Sequence, residues 1–244
     1  MAFISQKQQL FTYFAEQLGE YDWHDKSVLD FGGNIGNILL DPRSTIEHSR
    51  YWCIDPVKAA MEQGRETYPD AHWVFYNRHS PFFNPEGVVD LHIPQVNRKF
   101  DYIVVYSVFT NIKRAEMLDL VDQLMGMLAP GGKLAFTFID PHHHSWPQDY
   151  QGCNLQWRLE KDNPEGDIEG LLAKARSAQW FTLLNSRELH IESEDIELTP
   201  AQLKQTYFSY YSADYMQSLY PSATILAPAN NEMQHCCVIE APLP

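Results

Sequence analysis

Three glycines and two carboxylates stand close enough along the chain to build a nucleotide site. Residues 30–36 read Asp-Phe-Gly-Gly-Asn-Ile-Gly and follow the apolar pair Val28-Leu29. Because glycine has no side chain, a ligand can approach the backbone there, and exposed amides favour an electron-rich group. Asp55 follows at the end of the next apolar run, where a carboxylate can accept hydrogen bonds from both hydroxyls of a ribose.

The glycine spacing distinguishes between nucleotide ligands. A P-loop needs Gly-Lys-Ser/Thr after four spacer residues, and the sequence lacks it. A dinucleotide site needs GxGxxG. Gly33 and Gly36 could be its last two glycines, but the first would fall on Phe31. The third alternative is S-adenosylmethionine (SAM).

Here the chain resembles the class I SAM-dependent methyltransferases. Their first motif is an acidic residue, one spacer and GxGxG, which residues 30–36 match except that Asn34 replaces the middle glycine. Residues 53–56 (Cys-Ile-Asp-Pro) resemble the ribose-binding second strand of that family. Residues 99–105 resemble its fourth-strand motif, and residues 128–134 resemble its turn into strand five.

The resemblance implies SAM as the cofactor. Its site would comprise residues at the ends of the first four strands: Asp30, Gly32, Gly33, Asn34, Gly36, Asp55, Pro56, Asn77 and Tyr106. The turn would lie against the methionine part, and Asp30 would hold the turn and reach the methionine ammonium through water. Asp55 would bind the ribose hydroxyls, Asn77 would reach the adenine amine, and Tyr106 would face the methyl group.

Strands and helices alternate along the chain around these residues. Short apolar runs predict five strands, at 27–31, 51–55, 72–76, 101–106 and 133–139, and helical patterns predict helices at 5–18, 57–66 and 114–128. A helix is expected after the glycine turn, ending after Leu40 because Pro42 cannot continue it. Ser212 is expected to cap a helix that precedes an antiparallel pair of strands, 224–227 and 235–240. This order predicts an α/β fold: a Rossmann-like, doubly wound sheet that is mostly parallel, with an antiparallel last strand.

Residues 141–211 are too long for an ordinary connection between a strand and a helix. We expect them to form a cap over a core of residues 1–140 and 212–244, with a helix at 168–178, a hairpin from 180 to 191 and a helix starting near Thr199. Aromatic side chains concentrate in this segment, and such caps make apolar pockets for small molecules. Four residues are predicted to bind the acceptor substrate: Trp146, Tyr210, Tyr211 and His235.

Three consecutive histidines, His142, His143 and His144, follow the fifth predicted strand, where ligands of parallel sheets bind. Together with Tyr106 they are the candidate catalytic residues. One histidine could be a general base, or the run could anchor an acceptor carboxylate, which needs no base. A metal held by Asp140, His142 and His144 ranks lowest, because such spacing is permissive, and we predict no metal site.

Composition narrows the partners. Lys+Arg is 18 and Asp+Glu is 32, a formal net charge of −14, which repels phosphate backbones and anionic membranes. The sequence shows no signal peptide and no run of about 20 apolar residues that could span a membrane. Four cysteines form no CxxC pair, which favours a reducing cytoplasm.

These features predict a SAM-dependent methyltransferase that acts on oxygen or nitrogen of a small-molecule acceptor. The acceptor could be a carboxylate or a peptide terminus, and the long 141–211 segment favours a dedicated substrate of specialised metabolism. We expect no nucleic acid or membrane partner. Two alternatives stay open. One is a non-catalytic SAM-binding scaffold subunit, and the other is a nicotinamide-dependent oxidoreductase, which the missing first glycine disfavours.

Overall fold

The core of the protein is a seven-stranded sheet. The computed structural model describes residues 9–143, 155–162, 165–184, 188–190, 207–228 and 234–243. In chain order the sheet strands are β1 (Val28–Phe31), β2 (Tyr51–Asp55), β3 (His72–Phe75), β4 (Phe100–Val105), β5 (Leu128–Phe138), β9 (Thr224–Leu226) and β10 (His235–Glu240). Their spatial order is β3-β2-β1-β4-β5-β10-β9, and β10 runs antiparallel to both of its neighbours. The predicted Rossmann-like architecture is therefore confirmed.

Helices cover both faces of this sheet. They are α1 (Leu10–Leu18), α2 (Lys58–Thr67), α3 (Arg114–Met125) and α6 (Ala213–Leu219). Two buried apolar clusters lie on opposite faces. One packs α1 and α2 against residues such as Val28 and Cys53, and the other packs α3 and α6 against residues such as Leu29 and Ile54. Neighbouring strand residues alternate between the faces, as the period of two requires. The predicted capping of α6 is confirmed, since the Ser212 side chain accepts a hydrogen bond from the Tyr215 amide.

Three local predictions differ from the structure. The helix expected over 114–128 ends at Met125, before Gly126. The expected helix after the glycine turn ends at Leu40 as predicted, but it is only one 3-10 turn, Asn37–Leu40, because Gly36 before it is left-handed (φ +84°). The expected turn at Gly131-Gly132 lies inside β5, which starts at Leu128 rather than residue 133. There β5 bulges against β4: Phe100 pairs with Leu128, while Tyr102 pairs with Lys133.

The 141–211 segment contains its own small sheet. Its described elements are α4 (Leu155–Asp162), α5 (Ile168–Ser177), β6 (Trp180–Leu184), β7 (Glu188–His190) and β8 (Tyr207–Tyr211). The antiparallel strand order is β7-β6-β8, so the predicted hairpin is present and β8 adds a strand that the sequence pattern did not indicate. The helix expected near Thr199 lies outside the described residues.

This small sheet is attached to the core by its last strand. Ile139, just past β5, forms a bridge with Tyr210, and the Tyr211 amide donates to the Ile139 carbonyl at 3.0 Å. Buried side chains from α4, α5, β6 and β8 make a separate apolar cluster there. The division into a core and a cap therefore stays a prediction, supported by this second cluster. None of the described helices is long and apolar enough to cross a membrane.

Candidate functional site

A cavity of about 420 Å³ opens at the carboxyl ends of β1, β2, β3 and β4. Its size is in the range that holds one small organic ligand, and the end of a parallel sheet is where such ligands bind. Five residues predicted from the sequence line it: Gly32, Asn34, Asp55, Pro56 and Tyr106. The sheet thus brings the glycine turn, the carboxylate after β2 and the residue after β4 to one cavity.

The glycine turn is held by contacts that exclude side chains. Gly32 has φ +81°, and a Cβ there would lie 2.3 Å from Cγ2 of Val108. A Cβ on Gly33 would lie 2.4 Å from the Asp30 carboxylate. Asn34 occupies the place of the family's middle glycine with φ +57°, a left-handed conformation that asparagine tolerates better than most residues. Asn34 therefore keeps the left-handed backbone that a glycine would have at this position of the motif.

Asp55 joins the turn to the second strand. Its two carboxylate oxygens accept hydrogen bonds from the amides of Asn34 at 2.8 Å and Val57 at 2.7 Å. Burial raises the pKa of this carboxyl, and the two amide hydrogen bonds lower it in part. A carboxylate has about four lone-pair directions, so each oxygen can still accept a bond from a ligand hydroxyl. That capacity fits a ribose diol.

Asp30 lies behind the turn rather than in the cavity wall. It is buried, and the Tyr51 hydroxyl donates to its carboxylate at 2.8 Å. Burial raises the pKa of Asp30 to about 7, although the Tyr51 hydrogen bond lowers it, and the nearby Asp55 charge raises it further. Asp30 packs directly under Gly33, a position that fits the role in holding the turn that the family resemblance implies.

A hydrogen-bond network lines the side of the cavity next to β4. The Ser107 amide donates to Oγ1 of Thr137 at 2.8 Å, and Thr137 donates to Oε1 of Gln234 at 2.7 Å. Nε2 of Gln234 closes the loop on Oγ of Ser107 at 3.1 Å. Ser107 has φ +56°, a strained conformation that such a network can hold. Sequence reasoning missed these residues. Ser107 could have been noted as the neighbour of Tyr106, but nothing local indicated Gln234.

An ion pair lies across the cavity from this network. Nε of Arg78 donates to Oε1 of Glu116 at 2.7 Å, and both residues line the cavity. The Arg78 side chain is 7% exposed, and that of Glu116 is 19% exposed. Burial lowers the pKa of the Arg78 guanidinium, but Glu116 and Tyr76 together raise it by more, so Arg78 stays charged. This pair was also missed, because residues 78 and 116 are far apart in the sequence.

A separate group beside the end of β5 contains His142, His143 and His235. The Asp140 carboxylate accepts hydrogen bonds from the amides of His142 at 2.7 Å and Ala213 at 2.9 Å. The His143 ring lies edge-on to the His235 ring, with centroids 5.3 Å apart. Within the described residues Nδ1 of His235 has no hydrogen-bond partner, and burial lowers the pKa of His235 to about 4. None of these three histidines is among the described lining residues of the cavity.

The remaining predicted site residues lie elsewhere. Tyr210 stacks on Phe181 with centroids 4.7 Å apart, and Tyr211 stacks on Tyr215 at 6.5 Å, both inside apolar clusters. The side chain of Asn77 is hydrogen-bonded to Asn84 at 3.1 Å. The described lining residues of the cavity do not include Gly33, Gly36, Asn77, Tyr210 or Tyr211. They do include Phe208, which the sequence analysis did not single out. His144 and Trp146 lie outside the described residues. The described part of the chain contains no group of three His, Cys, Asp or Glu side chains able to hold a metal.

Comparison with known proteins agrees with this geometry. Residues 29–134 match a family model described as a methyltransferase domain. The fold is similar to that of a SAM-dependent methyltransferase from Clostridium acetobutylicum, with a TM-score of 0.52 and 11% identity, covering 97% of this chain and 92% of that one. It is also similar to the glycopeptide N-methyltransferase MtfA in complex with S-adenosylhomocysteine, with a TM-score of 0.52, 11% identity and coverage of 96% and 90%.

A third structure of similar fold is the PH0226 protein from Pyrococcus horikoshii. Its TM-score is 0.54 at 13% identity, covering 98% of this chain and 91% of that one. At such low identities the likeness concerns the fold. The structural match covers nearly the whole chain, whereas the family model covers residues 29–134.

Proposed function

We propose that this chain is a SAM-dependent methyltransferase that methylates an oxygen or nitrogen atom of a small-molecule acceptor, since residues 29–134 match a methyltransferase-domain model and the cavity at the glycine turn fits SAM. One observation carries the proposal: a single cavity runs from the glycine turn and Asp55 to the end of β4. The first part suits the cofactor, and Tyr106 and Ser107 at the end of β4 mark the side from which an acceptor would approach it.

The cofactor part fits this chain's own residues. Gly32 and Asn34 give backbone access at the turn, and Asp55 keeps lone pairs free for the ribose hydroxyls. When bound, SAM supplies a methyl group on a sulfonium sulfur. It would donate this methyl group to an acceptor lone pair, with S-adenosylhomocysteine as the leaving group. The protein's contribution is alignment and exclusion of water.

The acceptor part favours a hydroxyl or an amine over a carboxylate. Its described polar side chains are the neutral groups of Tyr106, Ser107, Thr110, Asn111 and Gln234. Among the described lining residues the only permanently charged cation is Arg78, which is already paired with Glu116. An acceptor carboxylate would therefore lose hydration without gaining a cation.

The class of acceptor follows from enclosure and charge. A cavity of about 420 Å³ at the sheet edge suits a small molecule, and the net charge of −14 disfavours nucleic acid. A peptide terminal amine has the same chemistry as a small amine. Since one protein of similar fold is a glycopeptide N-methyltransferase, peptides belong among the acceptors to be tested. The buried free thiols of Cys53 and Cys237 fit a reducing compartment, so we propose a cytoplasmic location.

The test is transfer of tritium from methyl-labelled SAM to pools of phenols, alcohols, amines, short peptides and carboxylic acids. We expect label in a hydroxyl or amine pool, and none with Asp55→Ala protein. Label only in carboxylic acids would contradict the acceptor assignment. Normal S-adenosylhomocysteine binding with no transfer to any pool would favour the scaffold alternative.

A further inference from the structure

The connection between β3 and β4 is unusual for a parallel crossover. Residues 76–99, all of them described, contain no helix and no named strand. Such a crossover usually contains a helix, and long irregular connections in compact domains are often binding loops. This one contributes Arg78, His79 and Ser80 to the cavity wall. It therefore forms the ligand-facing surface on the β3 side of the sheet.

The position of this wall follows from the strand order β3-β2-β1. The glycine turn follows β1, Asp55 follows β2, and Arg78 follows β3. A nucleoside whose ribose is held at Asp55, with its amino-acid tail at the glycine turn, extends its base away from β1. Such a base would lie towards the end of β3, where Arg78 and its partner Glu116 line the same cavity.

The Arg78–Glu116 pair is only partly used within the protein. Arg78 donates through Nε to Glu116 and through Nη1 to the Leu91 carbonyl at 2.5 Å. Within the described residues no hydrogen bond reaches Oε2 of Glu116 or leaves Nη2 of Arg78. The nearly buried pair thus retains one acceptor and one donor beside the cavity. Nη1 of Arg78 donates to the Tyr76 hydroxyl and to the Leu91 carbonyl, and these hydrogen bonds fix the orientation of the guanidinium.

We propose that this pair, rather than Asn77, reads the amino edge of the cofactor's adenine, with Glu116 accepting from the exocyclic amine and Arg78 donating to a ring nitrogen. The inference rests on SAM being the ligand of the cavity. Adenine carries a donor next to an acceptor on that edge, whereas hypoxanthine carries a carbonyl acceptor in place of the amine. The Asn77 amide is engaged with Asn84 and is not among the described lining residues, so it cannot fill this role without rearranging.

The test compares calorimetric binding of S-adenosylhomocysteine and S-inosylhomocysteine, which differ at the base edge alone. We expect wild-type protein to bind the adenosyl compound about 10- to 100-fold more tightly than the inosyl compound. In the inosyl compound the carboxylate of Glu116 would face a carbonyl oxygen instead of an amine. Glu116→Gln keeps the shape and an acceptor for Nε of Arg78 but replaces Oε2 with a donor. Its preference should shrink to about equal affinity or reverse.

Asp122→Asn is the matched control. Asp122 lies on the same helix, α3, is exposed and does not line the cavity, so its substitution removes one negative charge without touching the base edge. It should keep the wild-type preference. An unchanged preference in Glu116→Gln would overturn this inference alone, since S-adenosylhomocysteine binding would still support the proposed function. Binding of neither compound by wild type would overturn both. If Glu116→Gln does not fold, equal wild-type affinity for the two compounds still refutes the inference.

Discussion

We predict that the buried carboxyl of Asp30, which lies behind the glycine turn and would act on the ligand ammonium through water, makes cofactor binding depend on pH. Burial raises the pKa of Asp30 to about 7, so this group changes charge near neutral pH. A ligand ammonium that interacts with the Asp30 carboxylate favours the ionised form. With a pKa of about 7, roughly one eleventh of the carboxyl is ionised at pH 6 and ten elevenths at pH 8. Affinity for S-adenosylhomocysteine should therefore rise about tenfold between these pH values, about 1.4 kcal/mol.

Asp30→Asn is the perturbation that isolates this effect. The amide oxygen can still accept the hydrogen bond from Tyr51, but the side chain no longer titrates. Calorimetric titrations with S-adenosylhomocysteine at pH 6, 7 and 8 should give a sloped profile for wild type and a nearly flat, weaker one for the variant. A flat wild-type profile, or a variant that keeps the wild-type slope, would refute the assignment of the ammonium interaction to Asp30.

The same substitution should change stability in the opposite sense. The folded pKa of Asp30 lies above its unfolded value of 3.8, so the folded state holds the proton more tightly. Its contribution is fully present below about pH 4 and is lost as the pH rises through 7, by about 4 kcal/mol. Asp30→Asn should therefore raise the Tm at pH 8 while weakening binding. A lower Tm at pH 8 would contradict this account of Asp30.

Three further predictions concern other parts of the site. Asp55→Ala removes the acceptor of two backbone amides and the ribose site, so calorimetry should show at least a tenfold loss of S-adenosylhomocysteine affinity, with a lower Tm; unchanged affinity would place the ribose elsewhere. Thr137→Val leaves the Ser107 amide and Gln234 without their buried partner. It should destabilise the fold by about 1–3 kcal/mol in urea unfolding, whereas Thr137→Ser should be close to wild type. Burial lowers the pKa of His235 to about 4 in the folded protein, so the stability that neutral His235 contributes is lost as the pH falls from 6.5 towards 4. His235→Gln should remove the decrease in Tm that the wild type shows over this pH range. A variant with the wild-type dependence of Tm on pH would contradict this prediction.

The strands β1 to β4 and the glycine turn could be predicted from the sequence, because their local hydrophobic and glycine patterns agree with the tertiary structure. Each strand from β1 to β4 was predicted to within a residue of its observed ends, and the substitution of Asn34 for glycine kept the left-handed backbone that the turn requires. Such positions follow from hydrophobic periodicity and from the few residues that tolerate positive φ. The glycine turn and Asp55 could therefore be placed together from the sequence.

The other cavity walls depend on contacts between distant parts of the chain. Arg78 meets Glu116 across 38 positions, and Gln234 meets Ser107 across 127, separations that leave no periodic signal. The histidine run was conspicuous in the sequence, yet the described His142 and His143 lie beside His235 and Asp140 rather than at the cavity. Residue type alone could not decide this, because loop direction after β5 is set by packing against β10 and α6.

The most direct test of the whole account is a crystal structure of the protein with S-adenosylhomocysteine. The account predicts electron density for the ligand in the cavity, with the ribose hydroxyls on Asp55, the amino-acid tail at the Gly32–Asn34 turn and the sulfur facing Tyr106 and Ser107. Density elsewhere, or in this cavity with the ribose away from Asp55, would contradict it.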